Sequence, residues 1–263
     1  MDAARWRVVG VSEMGASHRK SAALCQDANA FLRLDEDWLA IAVADGAGSA
    51  AKSELGAATA VNAAVTLLAE SFYGYQLRAG SASAPFDPIA MQEMLVSVLA
   101  KSRATVEARA QECGIASSQL ASTLIVILLG PDRIAAAQVG DGGAVIELAD
   151  GRFETLLKPD SGEFVNETTF LTSARAMKSI QFAALETPVK SIAVITDGLQ
   201  MLALRFPEWI PFQPFFAPVF AFVRDQSDEN TASEEVRRML QSDQVSSRTP
   251  DDVTLLVAAR VSP

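Results

Sequence analysis

The feature that most constrains this chain is a set of aspartates, each standing at one end of an apolar, strand-like run and half of them beside a glycine. Residues 39–44 read LAIAVA, an uninterrupted apolar run that suits a strand covered on both faces, and Asp45-Gly46-Ala47-Gly48 follows at once. Asp197 and Gly198 follow the run 191–196, and Asp141 follows 133–139 and precedes two glycines. Asp251 and Asp252 open 253–261, and Asp27 stands just ahead of 28–34. In this pattern a strand fixes the backbone while the carboxylate emerges at its end, and an adjacent glycine lets main-chain carbonyls approach a ligand closely. Asp-Gly is also a common turn dipeptide, so any one of these aspartates alone reads most simply as a turn. The set asks for a shared cause. Carboxylates gathered from distant parts of a chain repel one another unless a cation cancels the repulsion, and Mg²⁺ or Mn²⁺ fits where oxygen ligands dominate.

Composition removes the competing classes. Two cysteines, Cys25 and Cys113, and the single His18 cannot build a zinc ribbon or an H-E-x-x-H site. Twenty-two Lys and Arg against 32 Asp and Glu give a net charge of −10, which argues against a general nucleic-acid binder, since phosphate neutralisation needs a basic face. The hydrophobic fraction of 49% with 21% charged residues argues against disorder. A chain of this length buries about 73% of its surface on folding, enough for a core without disulfides. The first ten residues, MDAARWRVVG, hold no apolar stretch of the secretory kind. The longest apolar runs, 124–129 and 215–223, fall short of the roughly 18 residues of a membrane span. The expectation is a cytoplasmic, monomeric protein with reduced thiols, no nucleic-acid partner and no membrane.

Periodicity predicts strands at 6–12, 28–34 and 38–44, then a helix over 52–72 with apolar residues three and four apart. Gly74, Gly80, Ser81, Ser83 and Pro85 mark a loop before a second long helix at 88–113, which Gly114 stops. Strands return at 122–129, 133–139 and 144–148, and the polar stretch 158–174 reads as a surface excursion. Strands at 180–185 and 191–196, helices near 215–224 and 233–241 and a last strand at 253–261 complete an α+β order without βαβ alternation. The run Phe212, Phe215, Phe216, Phe220 and Phe222 reads as core packing. No stretch looks like a linker, so residues 1–263 are expected to form one domain.

In order along the chain, the motifs resemble those of the metal-dependent (type 2C) serine/threonine protein phosphatases, especially the bacterial branch. Gly15-Ala-Ser-His18 through Cys25-Gln-Asp-Ala28 resembles the first motif, and Val43-Ala-Asp-Gly-Ala-Gly48 the V-A-D-G-x-G motif. Ala121-Ser-Thr123 resembles a G-S-T strand start, and Val139-Gly-Asp-Gly142 a V-G-D-S turn. Ile195-Thr-Asp-Gly-Leu199 resembles S-D-G-L, and Asp251-Asp-Val-Thr254 the closing D-N-x-T. Singly these are weak signals; six in order, covering nearly the whole chain, are strong.

The resemblance implies an αββα four-layer sandwich, two central, mainly antiparallel sheets flanked by helices, with two Mg²⁺ or Mn²⁺ ions between the sheets and room for a third. It implies hydrolysis of phosphoserine and phosphothreonine in proteins by a metal-bridging hydroxide, opposing a bacterial Ser/Thr kinase. Residue by residue, Asp45 would bridge the metals with help from the Gly46 carbonyl, Asp197 and Asp251 would ligate, Asp27 would support the site, and Asp141 would hold the third ion. Gly162-Glu-Phe-Val-Asn166 falls where the family has a flap. Three positions depart from the family pattern: Ala22 replaces the phosphate-gripping arginine, Ala47 a histidine, and Gln26 a glutamate. Phosphate binding then falls to His18, Arg19 or Lys20, among which spacing does not select. The same residues admit two alternatives, a weakly active or inactive phosphatase-like binding protein and a hydrolase of a small phosphoester.

Overall fold

The apolar run at 39–44 forms a strand in which every residue is buried. It is one of ten strands in two five-stranded sheets. The computed structural model describes residues 6–21, 24–79, 87–159 and 168–261. In chain order the elements are β1 (Trp6–Glu13), α1 (Ala16–Ser21), β2 (Ala28–Arg33), β3 (Leu39–Ala44), α2 (Ser53–Ala79) and α3 (Pro88–Glu112). There follow β4 (Leu124–Leu129), β5 (Ile134–Val139), β6 (Gly143–Leu148), β7 (Phe153–Leu157), β8 (Gln181–Leu185) and β9 (Val189–Ile195). The chain ends with α4 (Gln200–Ala203), β10 (Leu204–Arg205), β11 (Ile210–Pro211), α5 (Gln213–Asp225), α6 (Glu229–Gln241), α7 (Asp243–Ser246) and β12 (Val253–Arg260).

One sheet has the order β1-β12-β9-β6-β7 and the other β2-β3-β4-β5-β8, and all pairings are antiparallel. Val8, Ile41, Val43, Ile127, Ile146, Val194 and Leu256 interdigitate between the sheets. The outer face of the second sheet is covered by α2 and α3 through Val61, Leu68, Leu95 and Leu99. That of the first is covered by α5 and α6 through Phe216, Phe220, Val236 and Leu240. This is the αββα sandwich expected. Each such side chain, fully buried, stabilises the fold by about 1.5–3 kcal/mol relative to exposure. The aromatic run is core in part: Phe216 and Phe220 are fully buried, with Phe153 stacked on Phe220 at 5.8 Å, while Phe212, Phe215 and Phe222 are half-buried.

Where the structure departs from the sequence reading, local signals were overridden or too short. Helix α2 runs past the expected stop and contains Gly74. A mid-helix glycine costs about 1 kcal/mol, and tertiary contacts outweigh it: Phe72 is buried and the Tyr73 hydroxyl donates to the Leu34 carbonyl. Over Ser53–Leu77 this helix is long and apolar enough to span a membrane by length and composition, a property that uninterrupted runs do not reveal. Here its apolar side packs on the sheet. Strand β7 was not expected, because FETLL is a half-exposed edge strand with no continuous apolar signal. Helix α6 starts earlier than expected, at a cap in which the Asp228 carboxylate accepts from Asn230 N and Thr231 N. The stretch 158–174 is not wholly a surface excursion, since Leu171 is buried and its N–H donates to the Ser122 carbonyl at 2.7 Å. The flap segment 162–166, the loop glycine and serines of 80–86 and Ala22 lie outside the described residues.

Candidate active site

Strand register carries the aspartates to one end of the sandwich. In the second sheet Ala28 pairs with Ala44, so Asp27 and Asp45 flank that pair on neighbouring strands. In the first sheet Ile195 pairs with both Leu255 and Gly143, which sets Asp197 beside the opening of β12 and beside the β5–β6 turn holding Asp141. Antiparallel order matters here, because it returns the ends of β3 and β9 and the starts of β2 and β12 to the same edge.

The main chain around Asp45 is fixed on both sides. Asp45 N donates to Thr123 Oγ1 at 2.9 Å, Thr123 N donates to the Asp45 carbonyl at 2.8 Å, and Ala47 N donates to the Ala121 carbonyl at 2.9 Å. Gly46 N donates to the Gln26 carbonyl at 3.1 Å, and a Cβ at Gly46 would fall 2.6 Å from that same oxygen. Only glycine fits so close to neighbouring main chain. Gly198 meets the same limit, its Cβ position lying 2.0 Å from the Asp252 carbonyl oxygen.

Electrostatics mark the cluster as one unit. Burial foremost, and then Asp27, Asp197, Asp141 and Asp251, hold the Asp45 carboxyl well above the usual carboxylate range. Asp197 is pushed up to about 7, first by burial and then by Asp141 and Asp251, while the Gly198 N–H and a hydrogen bond with Asp45 act the other way. Asp27 is pushed up to about 7 by burial and by Asp252 and Asp197, against two hydroxyls that favour its charge. Those hydroxyls are Thr196 Oγ1 and Thr254 Oγ1, donating to Asp27 Oδ2 at 2.7 and 2.8 Å. Burial and the same acidic neighbours also raise the Cys25 thiol. Among the described residues no three His, Cys, Asp or Glu side chains close on a single point. Buried carboxylates that raise one another's pKa make a site short of positive charge, and hard cations are the chemistry that supplies it.

The family model for protein phosphatase 2C matches residues 14–241. The chain belongs to that family. It is 33% identical over 261 residues to serine/threonine-protein phosphatase 3 of Escherichia coli (strain K12), covering 96% of this chain and 98% of that protein. Among solved structures it shares the fold of PppA of Pseudomonas aeruginosa, described as a key regulatory component of T6SS, at a TM-score of 0.61 and 18% identity, covering 98% of this chain and 99% of that one. It also shares the fold of the serine/threonine phosphatase Stp1 of Staphylococcus aureus, at 0.59 and 12% identity over 99% and 97% of the two chains.

The aspartates singled out in the sequence lie close enough to act on one another electrostatically: Asp27, Asp45, Asp141, Asp197 and Asp251. Asp141 Oδ2 accepts from Thr168 Oγ1 at 2.6 Å, and its carbonyl accepts from the Gln200 side chain. Ala47 is buried with Ala50 and Ala121 against Phe170, so this position is filled by a small, closely packed apolar cluster. His18 is held by Asp252, with Nδ1 2.9 Å from Oδ1. Arg19 is exposed and turned back, its Nη1 donating to the Met14 carbonyl at 2.6 Å. The side chain of Lys20 lies outside the described residues. Sequence reading gave no role to Asp252, Thr196 or Thr254, although all three flank motif aspartates. A buried hydroxyl two residues into a strand, as in Asp252-Val-Thr254, is the signal that could have found the two threonines.

Proposed function

We propose that this chain is a Mg²⁺- or Mn²⁺-dependent protein serine/threonine phosphatase, acting on phosphoserine and phosphothreonine in protein substrates. The observation that carries the reading is the electrostatic coupling of Asp45 and Asp197, from opposite sheets, with buried Asp27, half-buried Asp141 and exposed Asp251 beside them. Asp45, Asp197 and Asp251 would hold two ions, with the Gly46 carbonyl as a neutral ligand, Asp27 as support and Asp141 for a third ion. A closed three-carboxylate cage is unnecessary, because Mg²⁺ is bound through one or two carboxylates and keeps several waters. When bound, such ions neutralise charge on the phosphoryl oxygens and acidify water for in-line attack.

The chain's own residues set the geometry for that chemistry. Thr196 and Thr254 hold Asp27 in one rotamer by hydrogen bonds to a single carboxylate oxygen. Thr123 and Ala121 lock the turn that aims Asp45. Substrate phosphate would be gripped from α1, by His18, Arg19 or Lys20, in place of the arginine absent at Ala22. We further propose one domain over 1–263, working as a monomer in the cytoplasm against a bacterial Ser/Thr kinase. The test is hydrolysis of a phosphothreonine peptide with Mn²⁺, beside p-nitrophenyl phosphate and with EDTA as control. Turnover of the peptide that EDTA abolishes is expected; a protein inert with Mn²⁺, or active in EDTA, overturns the reading.

A further inference from the structure

Asp252 is 3% exposed, and its carboxylate gathers three donors from one stretch of chain. Oδ1 accepts from Gly15 N at 2.7 Å and His18 Nδ1 at 2.9 Å, and Oδ2 accepts from Gln26 N at 2.6 Å. Ser17 ties the same stretch to the residue ahead of Asp251, its N–H at 3.0 Å and its hydroxyl at 2.6 Å both donating to the Pro250 carbonyl. The fit at the other foot of α1 is equally close, since a Cβ on Gly15 would fall 2.2 Å from the Asp251 carbonyl oxygen. Helix α1 is therefore docked, through backbone and side chain, on the segment that carries a candidate metal ligand.

The closing motif that Asp251-Asp-Val-Thr254 resembles has asparagine at the second position. An amide offers one acceptor oxygen and a donor NH₂, and that NH₂ would oppose one of the three donors; only a carboxylate accepts from all of them. The aspartate is thus matched to two backbone N–H groups, Gly15 on Oδ1 and Gln26 on Oδ2, and the charge they require also holds His18 through Oδ1. Of the two α1 basic side chains described, Arg19 reaches back to Met14, whereas His18 is oriented by a buried partner.

We propose that Asp252 is a positioning residue that orients the His18 imidazole so that Nε2 contacts a phosphoryl oxygen of the substrate, taking over in this chain the work of the arginine that Ala22 replaces. The inference rests on the phosphatase reading above. In its protonated form the ring donates Nδ1–H to Asp252 and Nε2–H to the phosphoryl group. A carboxylate behind an imidazole sets which ring edge faces outward, as it does where histidine binds metals.

The variants His18→Asn, Asp252→Asn and their combination test it. His18→Asn keeps a donor at the Nδ1 position for Asp252 and has nothing at Nε2, so it separates substrate contact from mere packing. For a phosphothreonine peptide at saturating Mn²⁺, His18→Asn should raise KM about tenfold with kcat changed by no more than about twofold, as expected when ground-state grip is lost. Asp252→Asn should raise KM similarly, and the double variant should add no more than about twofold, because residues acting as a unit do not add. The unfolding midpoint and calorimetric Mn²⁺ affinity of His18→Asn should match the wild type. A wild-type KM in His18→Asn, a loss confined to kcat, or multiplying effects in the double variant overturns the positioning role. If Asp252→Asn does not fold, the His18→Asn result decides alone. A wild-type protein without Mn²⁺-dependent activity overturns the phosphatase reading and this inference with it, whereas failure of the variants alone leaves that reading standing.

Discussion

Asp45, at the end of a strand in one sheet, and Asp197, at the end of a strand in the other, act on each other across the cleft: the Asp197 charge raises the Asp45 carboxyl, while Asp45 favours the ionised form of Asp197. Burial and the surrounding carboxylates hold both groups above the usual carboxylate range, and a bound cation would reverse that balance.

Metal binding should therefore release protons. Carboxylates must ionise to serve as ligands, and Asp27 and Asp197 hold theirs up to about 7. At pH 6, titration with Mn²⁺ in two buffers of different ionisation enthalpy should show heats that differ in proportion to the buffer. The unfolding midpoint should climb with Mn²⁺, reaching about 2.7 kcal/mol of added stability at a hundred times Kd. Buffer-independent heats, or an unmoved midpoint, would count against the site.

The same groups set the pH dependence of the metal-free protein. Their native pKa values, raised to about 7, lie above the ordinary aspartate value, so the native state binds more protons than the unfolded state across that window. Their contribution is fully present below the unfolded aspartate pKa and is lost as pH rises through about 7. Chemical denaturation with EDTA should give a lower stability at pH 8 than at pH 6, by up to about 1.4 kcal/mol per pH unit for each carboxyl. Saturating Mn²⁺ should flatten the difference, since a cation favours the ionised form. A metal-free protein more stable at pH 8 would contradict the clustering.

The α+β order and the aspartates at strand ends were legible because each rests on a strong local signal, continuous apolar runs, three-four periodicity and Asp-Gly at several strand ends; the two-sheet arrangement was legible only through the order of the family motifs. What escaped was set by partners far away in sequence. The continuation of α2 through Gly74 depends on Tyr73 reaching Leu34, and β7 exists because an edge strand needs pairing more than hydrophobicity. Asp252 looked like a second copy of Asp251, yet one is buried beneath α1 and the other exposed at the cleft. No periodicity in the sequence distinguishes two adjacent aspartates.

Thr196 shows how a residue outside the ligand set should matter. Its hydroxyl donates to Asp27 at 2.7 Å and accepts from Thr254 N at 2.9 Å, both in buried surroundings. Thr196→Val keeps the shape and removes both bonds, leaving a buried carboxylate and a buried N–H each short of a partner. The expected cost is about 1–3 kcal/mol for each orphaned group, with weaker Mn²⁺ binding as Asp27 loses a donor that favours its charge. Thr196→Ser, which keeps the hydroxyl, should recover most of both. Denaturation midpoints and Mn²⁺ calorimetry on the pair would check it, and equal behaviour of Val and Ser variants would contradict the role.

The aspartates themselves should divide into two grades. Asp45 and Asp197 act on each other within the cluster, and loss of either removes charge that would hold an ion against the phosphoryl group. Metal-ion charge stabilisation is worth several kcal/mol in the transition state, so Asp45→Ala and Asp197→Ala should lower kcat by at least about a thousandfold, with folded far-UV spectra. Asp141 stands at the rim, its carboxylate held by Thr168 and its carbonyl by Gln200. Asp141→Ala should leave the central pair assembled and lower the rate by only about ten- to a hundredfold, the range seen for outer partners of a metal site. It should also ease the Asp197 carboxyl downward, because Asp141 is the largest of the charges that raise it. The proton release on Mn²⁺ binding at pH 6 should then shrink in Asp141→Ala, a readout independent of turnover. Full activity in Asp197→Ala would sink the metal-assisted mechanism for this chain, and an Asp141→Ala variant as dead as Asp197→Ala would show that the two grades do not exist.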